Sequence, residues 1–121
     1  MMQVGDLSAW RDFLDVRDVC ADYVVCIARR EELPSGPIVN LASGQSHRIG
    51  DVLDEMLEVA GVAPEVCIDP LRLRPVSVDR FFANPGRALA LLDWAPKIPW
   101  RQTLRDVLDD WTIRVAMAND A

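Results

Sequence analysis

The sequence predicts an α/β fold, and part of one rather than a closed domain. Three observations carry this reading. Stretches with apolar residues at helical spacing alternate with short runs that are apolar throughout. Only two of those runs, Ile38–Ala42 and Val66–Ile68, have the character of strands. A parallel sheet needs both faces covered and more strands than that, so the expected architecture is a few short strands with about four helices.

Each element follows in order. Arg11-Asp12-Phe13 is a short extended piece. A helix over Val16–Ala28 carries Val16, Val19, Cys20, Tyr23, Val24 and Ile27 at helical spacing, with Asp15 or Asp18 serving its N-terminus. Ala21, Val25, Cys26 and Ala28 fill much of its remaining face. A helix apolar nearly all round requires burial on more than one side. Left unpartnered, it presents a patch of the kind that marks an interface, and self-association or poor solubility is expected of the chain alone.

Leu33-Pro34-Ser35-Gly36-Pro37 is a turn by composition. Ile38–Ala42 is expected as a fully buried strand, and Ser43-Gly44-Gln45-Ser46 as the loop leaving it. A second helix places Ile49, Val52, Leu53, Met56, Leu57 and Ala60 on one face and Asp51, Asp54, Glu55 and Glu58 opposite, with Gly61 as its stop. After the Val66–Ile68 strand comes an irregular stretch, Leu71 to Ala83. Asn84-Pro85 then reads as a helix entry, an N-cap followed by proline at the first helical position, with Arg87 to Asp93 as a short helix. Trp94 to Pro99 is an extended connector. The last helix runs from Trp100 to Met117 with Leu104, Val107, Leu108, Trp111 and Val115 as its core stripe. Trp94 is expected in the core with Trp111, whereas Trp10 and Trp100 are candidates for exposure.

Bulk properties exclude several function classes. With 121 residues, half of them apolar, the chain is expected to form a single partial domain over residues 1–121. A net charge of −6 argues against nucleic acid as a partner, because phosphate neutralisation requires a clustered positive field. Twelve arginines stand against the single Lys97. No apolar run approaches the roughly 20 residues that span a bilayer, so no membrane partner is expected. Met1–Trp10 has neither a basic nor an apolar signal region. Cys20, Cys26 and Cys67 lack metal or disulfide spacing and read as buried thiols of a cytoplasmic protein, with His47 as a surface loop residue. No metal site is expected.

Five blocks in register carry a resemblance. They are Arg11-Asp12-Phe13-Leu14-Asp15-Val16-Arg17-Asp18-Val19, Asn40-Leu41-Ala42-Ser43-Gly44, Leu73-Arg74-Pro75-Val76, Leu92-Asp93-Trp94-Ala95-Pro96 and Thr103-Leu104-Arg105-Asp106-Val107-Leu108. Over roughly Val4 to Val115 the chain resembles the C-terminal, substrate-binding portion of the extended short-chain dehydrogenases/reductases (SDRs), the NAD-dependent epimerase/dehydratase family. The nearest subgroup is the GDP-mannose 4,6-dehydratases and GDP-4-keto-6-deoxymannose reductases.

The resemblance implies a partial Rossmann-type fold that recognises a nucleotide-sugar, a GDP-sugar by subgroup, within an NAD(P)-dependent dehydratase, epimerase or reductase. It implies that the N-terminal NAD(P)-binding Rossmann part is absent, because the scattered glycines form no glycine-rich phosphate loop. The family's catalytic Tyr-x-x-x-Lys is absent too: Tyr23 is followed four residues later by Ile27, and Lys97 lies far off. No cofactor is expected on this chain alone, and no residue is assigned a catalytic role.

By the same resemblance Arg11 and Arg74 are the diphosphate contacts, a role that suits a planar, five-donor guanidinium. The alternative for Arg11 is a surface pair with Asp12 or Asp15, and for Arg74 a solvated loop position. Pro75 favours an extended Arg74. Ser77 stands where relatives carry an acidic residue, which makes it a shorter and weaker substrate-binding acceptor. Ala83-Asn84 stands where relatives have Gly-Asp, and Asn84 retains the capping chemistry. Arg72 and Arg80 read as exposed or internally paired. Three readings of the chain stay open: the product of a truncated lyase or oxidoreductase gene, one half of a split enzyme with a Rossmann-domain partner chain, and a stand-alone binding module.

Overall fold

The computed structural model describes residues 1–73 and 78–119. Its elements are β1 (Met2–Val4), β2 (Trp10–Asp12), α1 (Val16–Ala28), β3 (Ser46–Arg48), α2 (Ile49–Ala60), β4 (Val66–Ile68), α3 (Gly86–Leu92) and α4 (Trp100–Asn119), with a 3-10 turn over Pro70–Arg72. The expected α/β character, four helices and few short strands are all present. The chain divides into two compact units. One comprises Met1–Ala9, Arg48–Asp79 and Pro99–Ala121, and the other Trp10–His47 and Arg80–Ile98.

In the first unit β1 and β4 run parallel, with Met2 opposite Val66 and Val4 opposite Ile68. Strand β4 lies where the sequence placed it, whereas β1 falls in the opening segment, too short for any periodicity to reveal. Helix α2 has the predicted bounds, and Gly61 ends it in the left-handed region (φ 66°), donating its N–H to the Glu58 and Leu57 carbonyls. Helix α4 packs on α2. At that contact Trp100 Nε1 donates to Glu55 (2.8 Å) and Arg101 pairs with Glu58 (2.6 Å).

The expected α4 stripe is only half realised. Leu104 is buried, but Trp111 is 60 % exposed, and Val107 and Val115 are exposed as well. Length explains this: at 1.5 Å per residue the twelve residues of α2 cannot cover the twenty of α4. Trp111 is therefore not a core residue. Its ring instead lies under Arg114 (5.9 Å), which also pairs with Asp110.

Strand β2 pairs with β3, and in the second unit α1 packs on α3. The core is Ala88, Leu92 and Trp94, closed by Leu14, Val25, Cys26, Leu33, Val39, Leu41 and Leu91. Trp94 is core as expected, whereas Trp10 and Trp100 are half-buried rather than exposed. Strand β3 occupies positions read as loop, so His47 is a half-buried strand residue.

Helix α1 has the predicted bounds and the predicted Asp15 N-cap, whose carboxylate accepts from the Arg17 N–H. Its orientation is the reverse of what its composition suggests. Asp18 and Asp22 face inward, while Val16, Tyr23, Val24 and Ile27 are 60–69 % exposed. Cys20 is exposed too, which corrects the reading of all three cysteines as buried. The cause is hydrogen bonding. The Asp18 carboxylate accepts from the N–H groups of Lys97 (3.2 Å) and Ile98 (3.1 Å), and its carbonyl accepts from Trp94 Nε1 (3.2 Å). Asp22 is 1 % exposed; one carboxylate oxygen accepts from Cys26 Sγ (3.5 Å) and the other has no partner among the described residues. Desolvation and the neighbouring Asp22 push the Cys26 thiol above its usual range.

Ile38–Ala42 is not a strand. Its side chains alternate as a strand's do, with Val39 and Leu41 inward and Ile38 and Asn40 outward, but no ladder forms because no strand lies beside it among the described residues. Helix α3 begins at Gly86, where the Asn84 side chain accepts the Gly86 N–H (2.8 Å).

Two outcomes follow. Asp18→Ala strands two N–H groups and is expected to lower stability by about 2–4 kcal/mol, read by urea denaturation. Alkylation at pH 8 is expected to modify Cys20 well before Cys26, read by peptide mass spectrometry. As an acid whose folded pKa is raised, Cys26 adds stability below the unfolded thiol pKa and loses it as pH rises through the folded value.

Candidate functional site

Strand β2 supplies three consecutive side chains, and strand alternation sends Trp10 and Asp12 to one face and Arg11 to the other. The Asp12 carboxylate fastens the loop after Ala42. One oxygen accepts from the Ser43 N–H (2.9 Å) and hydroxyl (2.7 Å), and the other from the Gly44 N–H (2.9 Å). Gly44 sits at φ 74°, with Pro85 3.3 Å from where a Cβ would lie, so both its conformation and its surroundings favour glycine. Ser43 Oγ in turn bonds the Gln45 backbone.

The far side of β2 is held by residues 80 and 81. Trp10 bridges Arg80, the Phe81 N–H donates to the Trp10 carbonyl (3.0 Å), and Ser46 Oγ donates to the Phe81 carbonyl (2.9 Å). The Arg80 guanidinium lies 4.6 Å over the Trp10 ring, a cation–π contact. Arg80 is thus internally engaged, as expected, and Arg72 pairs with Asp69 (3.3 Å).

Arg11 is half-buried, and its Nη1 donates to the Trp10 carbonyl at 2.7 Å. This curls the guanidinium back along its own strand and limits its directions. Asp15, the suggested surface partner of Arg11, forms a close pair with Arg17 (2.8 Å). Arg74 and Ser77 lie outside the described residues. Among the described residues no three His, Cys, Asp or Glu side chains are placed to hold a metal ion, and no helix is long and apolar enough to cross a membrane.

The sequence reading missed the clamp made by Asp12. The signal available was its place beside Arg11 on a strand, with a Ser-Gly pair ahead, a donor set suited to one carboxylate. It also missed the Trp10–Arg80 stack, which joins residues seventy positions apart that carry no local pattern.

Solved structures define the class. The chain superposes on RMD from Pseudomonas aeruginosa complexed with NADPH, with TM-score 0.83 and 31% identity, over 93% of this chain and 36% of that one. It also matches UDP-glucose-4-epimerase from Stenotrophomonas maltophila with bound NAD and formylated UDP-arabinopyranose, with TM-score 0.80 and 25% identity, over 99% of this chain and 36% of that one. The architecture is therefore a portion of the extended SDR fold.

Within that class the chain belongs to the GDP-mannose 4,6 dehydratase family, whose profile matches residues 1–107. GDP-6-deoxy-D-mannose reductase of Pseudomonas aeruginosa is 34% identical over 114 residues, covering 94% of this chain and 36% of that protein. UDP-glucose 4-epimerase of Halalkalibacterium halodurans is 28% identical, over 90% of this chain and 32% of that protein. The chain thus spans about a third of the length of the relatives it matches.

Asp12→Ala removes three hydrogen bonds to a charged acceptor. The Ser43 and Gly44 amides are expected to exchange about 10- to 100-fold faster in that variant, read by hydrogen–deuterium exchange.

Proposed function

We propose that this chain recognises the nucleotide diphosphate of a GDP-mannose-type sugar, as the substrate-binding portion of an NAD(P)-dependent dehydratase, epimerase or reductase. The observation that carries the reading is β2 itself. It presents Arg11, half-buried and turned by its bond to the Trp10 carbonyl, on a strand fixed by the Asp12 clamp. Kinship with a GDP-6-deoxy-D-mannose reductase supports the GDP-sugar class. In this reading Arg11 and Arg74 each offer paired N–H donors to phosphate oxygens, and Ser77 offers a hydroxyl to the nucleotide or sugar.

Residues 1–121 provide no glycine-rich βα turn and so do not fit a dinucleotide; NAD(P), where the family uses it, supplies hydride exchange. Tyr23 and Lys97 are not arranged as the family's Tyr-x-x-x-Lys, so binding rather than catalysis is the role assigned to these residues. The same absence favours a second reading, a binding or interaction subunit of a split enzyme or a stand-alone module. A cytoplasmic location is part of the proposal.

Calorimetry with GDP-mannose tests it. Saturable heat is expected. Arg11→Ala and Arg74→Ala are each expected to weaken binding about tenfold or more, consistent with a lost charge-assisted hydrogen bond. No heat at millimolar ligand, or full binding by both variants, would overturn the reading.

A further inference from the structure

Arg80 is not among the residues assigned to the ligand, yet a single residue ties it to Arg11. Its guanidinium lies 4.6 Å over the Trp10 ring. The next residue, Phe81, donates its N–H to the Trp10 carbonyl (3.0 Å), and the same oxygen accepts from Arg11 Nη1 (2.7 Å). A backbone carbonyl has two lone pairs, so the two donors share one acceptor. The direction of that carbonyl sets the direction in which the Arg11 guanidinium turns. Residues 80 and 81 are held against β2 at three points: the stack on the ring, the bond to the carbonyl, and the Ser46 hydroxyl on the Phe81 carbonyl (2.9 Å). Strand alternation puts the Trp10 ring, with Arg80 over it, on the face opposite Arg11. Any influence of Arg80 on Arg11 therefore passes through Trp10.

We propose that Arg80 is a positioning residue for Arg11. Its stack holds Trp10 and the Phe81 N–H in place, and the Trp10 carbonyl then holds the Arg11 guanidinium in the orientation that meets a diphosphate. Arg80 thereby raises affinity for the ligand without touching it. Orientation matters here because a guanidinium pairs with two phosphate oxygens only when its plane is aligned with them. The effect on affinity rests on the nucleotide-sugar reading of Arg11. The coupling of Arg80 to Arg11 does not, since every contact in it is made within residues 10, 11, 80 and 81. Arg80 is exposed, and a cation–π contact at an exposed site is weak beside the stability of a fold, so Arg80→Ala is expected to keep the chain's circular dichroism.

Two measurements on the full chain test it. The first needs no ligand: rotation about the Arg11 Cζ–Nη bond, followed by nitrogen-15 NMR on the signal that disappears in Arg11→Lys. Arg80→Ala is expected to speed that rotation roughly threefold or more, and Arg80→Lys, which keeps a cation over the ring, to restore it to within about twofold of the unmodified chain. The second is GDP-mannose calorimetry in a double-substitution cycle. Arg80→Ala is expected to weaken binding about two- to fivefold, and to have no further effect once Arg11→Ala is present. Unchanged Arg11 rotation in Arg80→Ala overturns the proposal whether or not GDP-mannose binds. Where it binds, so does an unchanged affinity in Arg80→Ala. An affinity loss just as large in the Arg11→Ala background overturns it too, because it assigns Arg80 to the ligand or to the fold rather than to Arg11. Faster rotation in a chain that gives no heat with GDP-mannose rejects the nucleotide-sugar reading and upholds the coupling.

Discussion

The carboxylate of Asp18 organises the second unit. It accepts two backbone N–H groups from a connector 79 and 80 residues away, while the same residue's carbonyl receives the indole of Trp94. These bonds bring the connector and Trp94 onto the first turn of α1, and Trp94 completes the core with Ala88 and Leu92. Hydrogen bonds to a charged acceptor are among the stronger polar contacts. Helix α1 must therefore keep its acidic face inward. The apolar residues on the other side are displaced outward by geometry, since a helix that turns Asp18 and Asp22 to the core turns Val16, Tyr23 and Ile27 away from it.

A second carboxylate does comparable work at the candidate site. Asp12 gathers the Ser43 and Gly44 donors and fixes a loop whose left-handed glycine sits against Pro85. Because strand alternation separates Asp12 from Arg11, one face of β2 is spent on holding the strand and the other on presenting a guanidinium. Trp10, stacked under Arg80 and bridged to it, supports the holding face. The site is thus built from long-range polar contacts rather than from a dense apolar core.

That economy matches the core's composition. The buried apolar residues described are Ala9, Ala42, Ala88, Leu92, Trp94 and Leu104, three of them alanine, and the largest fully buried side chain is Asp22. Apolar burial is the main driving force of folding, and among the described residues few large apolar side chains are fully buried. The chain spans about a third of the length of the Pseudomonas aeruginosa reductase and of the RMD structure it matches.

The sequence by itself determined the helices. Helices α1 and α2 have the predicted bounds and α4 exceeds its prediction by two residues, because capping and 3.6-residue spacing are local properties. It also determined the family, through blocks whose order needs no three-dimensional information. What the tertiary structure alone decided was which face of each element is used. Apolar spacing gave α1 a stripe but could not reveal that Asp18 would find donors at Lys97 and Ile98, nor that α2 would end before reaching Trp111. Nor could it show that Ile38–Ala42, with a strand's alternation, would lack a ladder, since a strand exists only where another chain segment offers its hydrogen bonds.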